Sequence, residues 1–175
     1  MTGMPIFMSN GRFEMTVVQR TIYESAIGPL EIRGTEKGIR SIRFYKGDNS
    51  QEDVSVPAVL AECVQQLGEY FMGERTEFSF PLDECGTNFQ RKVWSALRKI
   101  PFGETRSYKD IGEEISNPRA SRAVGGANHR NDIVIAVPCH RVIGTGGRLV
   151  GFGGGLWRKK WLLEHERQVR EMLSG

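Results

Sequence analysis

The residues most capable of chemistry lie together in the segment Ile135–Val142, where a cysteine, a histidine and an arginine directly follow a proline. The β-branched run before them, Ile133–Val137, is typical of a strand that Pro138 should end. Cys139 is therefore expected at a stiff strand end, followed by two basic side chains. Positive neighbours favour the thiolate, the nucleophilic form of cysteine. The alternative is an inert buried cysteine, a common environment for this residue type, but the basic neighbours favour a nucleophile.

The number and spacing of the cysteines indicate the cellular compartment and whether a metal site is expected. The three cysteines, Cys63, Cys85 and Cys139, are too few and too scattered for a disulfide framework. None has the Cys-x-x-Cys spacing of a zinc site, so no metal is predicted. No apolar run reaches the roughly 20 residues that cross a bilayer, and the N-terminus lacks a secretory signal. We expect a cytoplasmic protein without cofactors and without membrane contact.

Charge is distributed unevenly along the 175 residues. Up to Cys85 there are 8 Lys and Arg against 13 Asp and Glu, whereas from Gly86 onward there are 16 against 8. The net charge of +3 therefore combines an acidic first half with a basic second half. A basic half suits a polyanionic partner, although solvated surface lysines and arginines would explain it equally well.

The first half is expected to be a small strand-rich α/β domain over residues 15–85, preceded by a disordered leader at Met1–Glu14. A helix with Gly73 as its stop is predicted from the apolar residues Leu60, Val64, Leu67 and Phe71, which share one face. Cys63 beside this face is expected to be inert core. The predicted strands are Thr16–Glu24, Leu30–Gly34, Ile39–Phe44 and Phe78–Phe80, and a polar loop is expected at Gly47–Pro57.

The second half, residues 86–175 after a linker at Asp83–Gly86, is expected to be helical. Thr87 or Asn88 can cap a first helix, in which Trp94 is core, and Pro101 should break it. Ser107 and Asp110 approximate a capping box for a short helix. Two further helices are predicted at Pro118–His129 and Leu156–Leu173.

Two short helices joined by a tight turn fit a helix-turn-helix, and an ordinary αα-hairpin is the equally good alternative. The second helix carries small residues and the pair Gly125-Gly126, which weakens it by about 1 kcal/mol per glycine. Close approach to DNA would explain that composition. The segment Gly144–Gly155 is a glycine-rich wing or loop without the spacing of a phosphate-binding loop.

The segment from about Gly86 to Arg167 resembles the O6-alkylguanine-DNA alkyltransferase family. Five motifs stand in the family's order: Gly86–Trp94, Gly103–Tyr108, Ala120–Ala127, Val137–Ile143 and Trp161–Glu166. The first half matches more weakly, through its strand-rich layout and Ile27–Pro29. The resemblance implies a ribonuclease H-like α/β domain followed by a helical, winged-helix-like DNA-binding domain with the active-site loop.

By resemblance, Cys139 accepts an alkyl group irreversibly from O6-alkylguanine, and from O4-alkylthymine, in a single turnover. His140 would be the base, acting through a water and oriented by Glu166, with Asn131 bracing the turn. Tyr108 would donate a proton or hydrogen bond to a guanine ring nitrogen.

The resemblance also implies a set of substrate contacts. The carbonyl groups of Cys139 and Val142 would accept from the guanine amino group, and the Gly153 N–H would bind O6. Lys159 would lie near the pocket loop, with a solvated lysine as the equal alternative. Phe152 replaces a tyrosine common in the family, which keeps ring packing without the hydroxyl.

The implied partner is double-stranded DNA, bound in the minor groove largely without regard to sequence. Arg122 would enter the duplex and replace the extruded nucleotide, because a thiolate cannot reach O6 in a stacked base pair. The chain is expected to act as a monomer, associated with the nucleoid if prokaryotic, and cooperativity on DNA stays open. The other implied DNA-binding residues are Ala120, Ser121, Ala123, Gly125, Gly126 and Ala127.

Two functions from other classes compete with repair. A non-catalytic winged-helix protein that senses damage would bind the lesion without needing the nucleophile in its motif. A cysteine hydrolase would turn over many times. The pocket's tolerance of bulky alkyl groups is left open by the glycine-rich loop.

Overall fold

The computed structural model describes residues 16–47 and 56–175. The expected leader Met1–Glu14 and most of the expected loop Gly47–Pro57 lie outside these residues. The N-terminal part contains an antiparallel sheet in the order β1-β2-β3. Its strands are β1 (Gln19–Ser25), β2 (Gly28–Thr35) and β3 (Gly38–Phe44). The three strands predicted here are therefore confirmed, although β1 begins three residues after the predicted Thr16.

The sheet packs against α1 (Ala58–Phe71), which ends before Gly73 at a φ of +77°. Its buried apolar stripe consists of Leu60, Cys63, Leu67 and Tyr70. The stripe is displaced from the predicted one, because Val64 and Phe71 are only partly buried. Cys63 is buried core, as predicted, and desolvation raises the pKa of its thiol to about 12.

The predicted strand at Phe78–Phe80 is wrong. This segment is irregular, and the nearest sheet contact is a single bridge between Ile39 and Leu82. Both phenylalanines face apolar surroundings without pairing their backbones: Phe80 is buried, and the Phe78 ring lies 5.5 Å from that of Tyr70. The alternation of Phe78 and Phe80 therefore indicates at least partial burial of the two rings and not a strand.

The C-terminal part is largely helical, and Thr87, one of the two residues predicted to cap its first helix, and Ser107 are observed as caps. Thr87 and Gln90 form a reciprocal capping box on the first helix, with hydrogen bonds of 3.2 and 2.9 Å. Ser107 and Asp110 do the same on the next helix, at 3.1 and 2.7 Å. The helices are α2 (Asn88–Arg98), α3 (Tyr108–Glu114), α4 (Ser121–His129) and α5 (Leu156–Ser174). Two short strands, β4 (Arg106–Ser107) and β5 (Val142–Ile143), pair in parallel.

Two sequence-based boundaries in this part need correction. Helix α4 begins at Ser121, three residues later than predicted, because Pro118 and Arg119 form a turn that leads into it. The run Ile133–Val137 is not a strand: it makes isolated bridges and turns at Ile135, whose φ is +73°. A positive φ is unusual for a β-branched residue, so tertiary contacts must hold this turn.

The two parts meet at that turn. Ile42 on β3 donates its N–H to the Asp132 carbonyl at 2.8 Å and accepts from Val134 at 3.1 Å. A single cluster of buried apolar residues extends from the sheet through α2 to Leu162 on α5. The sheet therefore supports the segment that leads to Cys139. None of the helices in the described ranges is long and apolar enough to cross a membrane.

Candidate active site

Cys139 opens a 3-10 turn, Cys139–Arg141, directly after Pro138. Asn131 holds the preceding loop from both sides. Its Nδ2 donates to the Val137 carbonyl at 2.8 Å, and its Oδ1 accepts from the Ile133 N–H at 3.0 Å. The predicted bracing position of Asn131 thus matches the geometry. A substitution that removed the amide would free a loop that already contains a residue at positive φ.

Glu166 is the electrostatic centre of the site, since it is buried and accepts five hydrogen bonds. Oε1 accepts from His140 Nε2 at 2.7 Å, Tyr70 Oη at 2.8 Å and Arg141 Nη2 at 3.0 Å. Oε2 accepts from Arg141 Nε at 2.8 Å and the Gly103 N–H at 3.0 Å. Burial alone would raise the pKa of this carboxyl, but His140 and Arg141 outweigh it and hold the pKa well below its usual range. Glu166 is therefore a stable carboxylate.

His140 is fully buried, and its two ring nitrogens differ. Burial lowers the pKa of the imidazole more than Glu166 raises it, with Arg141 and Lys159 adding to the lowering. The neutral ring that results donates from Nε2 to Glu166, which leaves Nδ1 as an acceptor. Among the described residues Nδ1 has no hydrogen-bond partner. A neutral imidazole with a free acceptor is the form that a general base requires.

Cys139 is buried beside this pair, and its environment differs from the sequence-based expectation. Burial raises the pKa of its thiol, whereas the Asn131 side chain and the charge of Lys159 oppose the rise. The adjacent His140 and Arg141 both bond to Glu166, so the expectation that they favour a resting thiolate directly is wrong. The thiol is therefore protonated at rest, and a weak nucleophile of this kind needs a neighbouring proton acceptor.

A cavity of about 190 Å³ reaches Cys139. The glycine-rich loop and the end of β3 enclose it, with the Phe152 ring edge-on to Phe44 at 5.9 Å. The cavity is lined by Arg43, Phe44, Lys46, Asn128, His129, Asn131, Asp132, Val134, Cys139, Gly151, Phe152, Gly153 and Gly154. The structure thus brings the predicted Phe152 and Gly153 to Cys139.

Lys159 is fully buried, so the solvated alternative is wrong. Its Nζ donates to the Val142 carbonyl at 2.6 Å and to the Val150 carbonyl at 2.8 Å. Desolvation lowers the pKa of the amine to about 8, and Cys139 opposes this lowering. Lys159 therefore ties β5 to the loop that borders the cavity.

The other predicted substrate contacts already have protein partners. Val142 offers a carbonyl that Lys159 occupies in part, and the Cys139 carbonyl accepts from Asn128 Nδ2 at 3.3 Å. Tyr108 is partly buried and donates to the Val150 carbonyl at 3.3 Å. Burial, together with the nearby Cys139, raises the pKa of its phenol, which keeps the phenol protonated as a donor.

Helices α3 and α4 are the pair expected to form a helix-turn-helix, and only part of α4 is accessible. Arg122, Ala123 and Gly126 are exposed, and Ser121 and Gly125 are partly exposed. Ala120 and Ala127 are buried, which corrects their expected place on the binding face. These two small side chains therefore serve packing, and the Ala127 carbonyl accepts from Trp94 Nε1 at 2.9 Å. Arg122 is exposed, and within residues 16–47 and 56–175 its side chain has no hydrogen bond to the groups around Cys139.

Sequence reasoning missed three contributors to the site. Tyr70 and Gly103 both bond Glu166, and Asn128 bonds the Cys139 carbonyl. The one available signal for Tyr70 was its position three residues after Leu67, on the buried face of α1. In the described chain, no group of His, Cys, Asp and Glu side chains is arranged to hold a metal.

The fold and the site define a class of protein: a small α/β part joined to a largely helical part, with a buried cysteine beside a histidine–glutamate pair. Comparison with known proteins gives the family. Residues 88–168 match the model "6-O-methylguanine DNA methyltransferase, DNA binding domain", and residues 18–84 match "6-O-methylguanine DNA methyltransferase, ribonuclease-like domain". The chain belongs to the 6-O-methylguanine DNA methyltransferase family.

Individual relatives agree. The methylated-DNA--protein-cysteine methyltransferase of Mycobacterium leprae is 50% identical over 82% of this chain and 89% of its own length. The protein of that name from Methanosarcina acetivorans is 47% identical over 83% and 96%. The crystal structure of Mycobacterium tuberculosis O6-methylguanine methyltransferase has a TM-score of 0.78 and 45% identity, covering 87% of this chain and 94% of that one. The Mycobacterium tuberculosis protein in complex with DNA has a TM-score of 0.77 and 47% identity, over 85% and 92%.

Proposed function

We infer that this chain repairs DNA by transferring the methyl group of O6-methylguanine to its own Cys139. The activity is that of a methylated-DNA--protein-cysteine methyltransferase, the name that its relatives carry. The observation that supports Cys139 as the acceptor is its place at the cavity, beside a neutral His140 that Glu166 holds at 2.7 Å. Cys63 is buried core with a strongly raised pKa, and Cys85 is exposed and lines a pocket that does not include Cys139.

The proposed reaction begins with the thiol proton, which passes through a water to His140 Nδ1. The thiolate sulfur then attacks the methyl carbon, the sulfur–carbon bond forms, and the carbon–O6 bond breaks. The electron pair of the broken bond moves to O6 and into the guanine ring, where the protonated phenol of Tyr108 supplies a hydrogen bond or proton at a ring nitrogen. Lys159 lowers the cost of the thiolate through its charge.

The product is a thioether, which has no easy leaving group. No residue of the described site would remove the alkyl group, so each molecule repairs one lesion. The proposal extends to O4-alkylthymine, whose alkyl group is bound to a similar ring oxygen. The proposed transfer needs no cofactor. We propose that the protein acts as a monomer in the cytoplasm.

DNA is the partner, since residues 88–168 match a DNA-binding domain and a relative has been solved with DNA. We propose that α4 enters the minor groove with Ser121, Arg122, Ala123, Gly125 and Gly126. Arg122 would take the space of the extruded nucleotide. Extrusion of the nucleotide costs a few kcal/mol, because the base loses its stacking. The cavity beside Cys139 would receive the base.

Stoichiometry tests this proposal. With a tenfold excess of duplex DNA containing O6-methylguanine, repaired guanine should plateau at one equivalent of protein. A plateau well above one equivalent would favour a cysteine hydrolase. Binding without any repair would favour a damage sensor. Cys63→Ala, at the other buried cysteine, should repair like the parent chain, whereas Cys139→Ala should bind the lesion without repairing it.

A further inference from the structure

Tyr70 reaches the active site from the other half of the molecule. It lies on α1, 96 residues before Glu166, and its side chain is fully buried. Its Oη donates to Glu166 Oε1 at 2.8 Å. That same oxygen accepts the bond from His140 Nε2 at 2.7 Å. The phenol and the imidazole therefore share one carboxylate oxygen.

The phenol is held rigidly in this position. Its ring lies edge-on to those of Phe71 and Phe102, at 5.4 and 6.1 Å, and its backbone carbonyl accepts from His165 Nε2 at 2.8 Å. Burial and the Glu166 carboxylate raise its pKa well above the usual value, so the phenol stays a donor. With its ring held by these contacts, Tyr70 keeps its hydroxyl directed at Glu166 Oε1.

We propose that Tyr70 is a positioning residue for alkyl transfer, through which the N-terminal domain sets the basicity of His140. The proposal rests on the function inferred above for Cys139 and His140. The Tyr70 hydrogen bond withdraws electron density from Glu166 Oε1. This weakens the pull of the carboxylate on the His140 Nε2 proton, so that the ring releases its extra proton more readily and stays neutral.

Other charged groups face His140, and the test leaves them in place. Glu166 and Lys159 approach from α5, Arg141 lies next to it on its own turn, and Cys139 precedes it. Tyr70 is the contributor from α1, and it touches Glu166 without contacting the cavity. Its removal should therefore change proton affinity before it changes substrate fit.

The experiment measures single-turnover methyl transfer from duplex DNA against pH for the parent chain and for Tyr70→Phe. Loss of the phenol should raise the pKa of His140, and the acid limb of the profile should move up by about half to one pH unit, which lowers the rate on that limb by roughly 3- to 10-fold. The rate at the alkaline plateau should change less than the limb. Tyr23→Phe is the matched control: this half-buried phenol packs on Phe71 at 6.1 Å and does not bond Glu166.

A second replacement predicts the opposite sign. Site-specific incorporation of 3-fluorotyrosine at Tyr70 strengthens the donor with little change in shape, and the acid limb should move to lower pH. Limbs that coincide with the parent in both replacements would overturn the proposal, whatever happens to the plateau. So would a shift as large in Tyr23→Phe.

Alkylation of Cys139 by iodoacetamide, followed by peptide mass mapping, reports the same limb without DNA. If the parent chain failed to repair DNA, the inferred function would be wrong, and the pH dependence of Cys139 alkylation would still test the role of Tyr70. If repair occurred and neither limb moved, only the role of Tyr70 would fall.

Discussion

Glu166→Gln should destabilise the fold far more than an isosteric change normally does. The carboxylate faces the Arg141 guanidinium through two hydrogen bonds, at 2.8 and 3.0 Å, and both groups are buried. An amide presents an N–H₂ group to donors on one side and leaves the guanidinium without a counter-charge. Breaking a buried pair from one side costs about 3–5 kcal/mol. This is a large share of the roughly 5–15 kcal/mol that stabilises a domain.

Urea unfolding at pH 7 measures this cost. With a slope of about 2 kcal/mol per molar urea, the midpoint should fall by roughly 2 M. Glu164→Gln is the matched control on the same helix, since Glu164 is an exposed carboxylate bonded to Arg167. It should leave the midpoint nearly unchanged. Equal midpoints for Glu166→Gln and Glu164→Gln would show that the buried pair of Glu166 and Arg141 does not stabilise the fold.

The pH dependence of the same variant has a definite sign. Folding lowers the pKa of Glu166, so its stabilising contribution is complete above the unfolded value of about 4.3 and is lost as pH falls below it. The gap in unfolding free energy between the parent chain and Glu166→Gln should therefore be constant near neutrality and shrink in acid. A gap that widened in acid would contradict the assignment of Glu166 as the buried carboxylate.

Two further outcomes follow from single residues. Lys159 has a pKa of about 8 in the folded chain against an ordinary 10.5, so the unfolded chain binds more protons between these two pH values. The unfolding free energy of the parent chain relative to Lys159→Met should therefore rise with pH across that window. Parallel pH curves in denaturant titrations would contradict this. Arg122→Ala should slow repair of duplex DNA by about 10-fold or more while reaction with free O6-benzylguanine changes little, because extrusion costs a few kcal/mol only in the duplex; equal losses on both substrates in single-turnover assays would discard the role of Arg122 in extrusion.

Local signals in the sequence predicted much of the fold. Thr87 and Ser107 could be assigned as helix caps because capping depends on residues three apart. Gly73 likewise marks the end of α1, where its positive φ is a local requirement. Strands β1–β3 were predicted from short runs separated by turn residues.

Features that depend on distant contacts could not be predicted from the sequence. The β-branched run around Ile135 reads as a strand, yet bonds from Ile42 and Asn131 hold it as a turn. Lys159 was placed near the pocket but not as a buried donor, since only the fold shows which carbonyl groups surround it. Tyr70 resembled any apolar core residue, because nothing in its own segment points to Glu166.

The site residues were assigned mainly through the family motifs. Cys139, His140 and Glu166 come together as the resemblance implied, and Asn131 braces the loop as expected. Ala120 and Ala127 were misplaced on the DNA-facing surface because helical periodicity does not say which face of α4 packs against α2. The division at Cys85 and the individual catalytic roles remain predictions.

Cys139 is proposed to accept a single methyl group and to act only once. Intact-mass analysis of the protein after incubation with duplex DNA containing O6-methylguanine, followed by peptide mapping, tests it most directly. We expect one added methyl group per molecule, located on Cys139, and no addition with unmodified duplex. An unmodified Cys139 after the lesion has been repaired, or a methyl group found on Cys63 or Cys85, would contradict it.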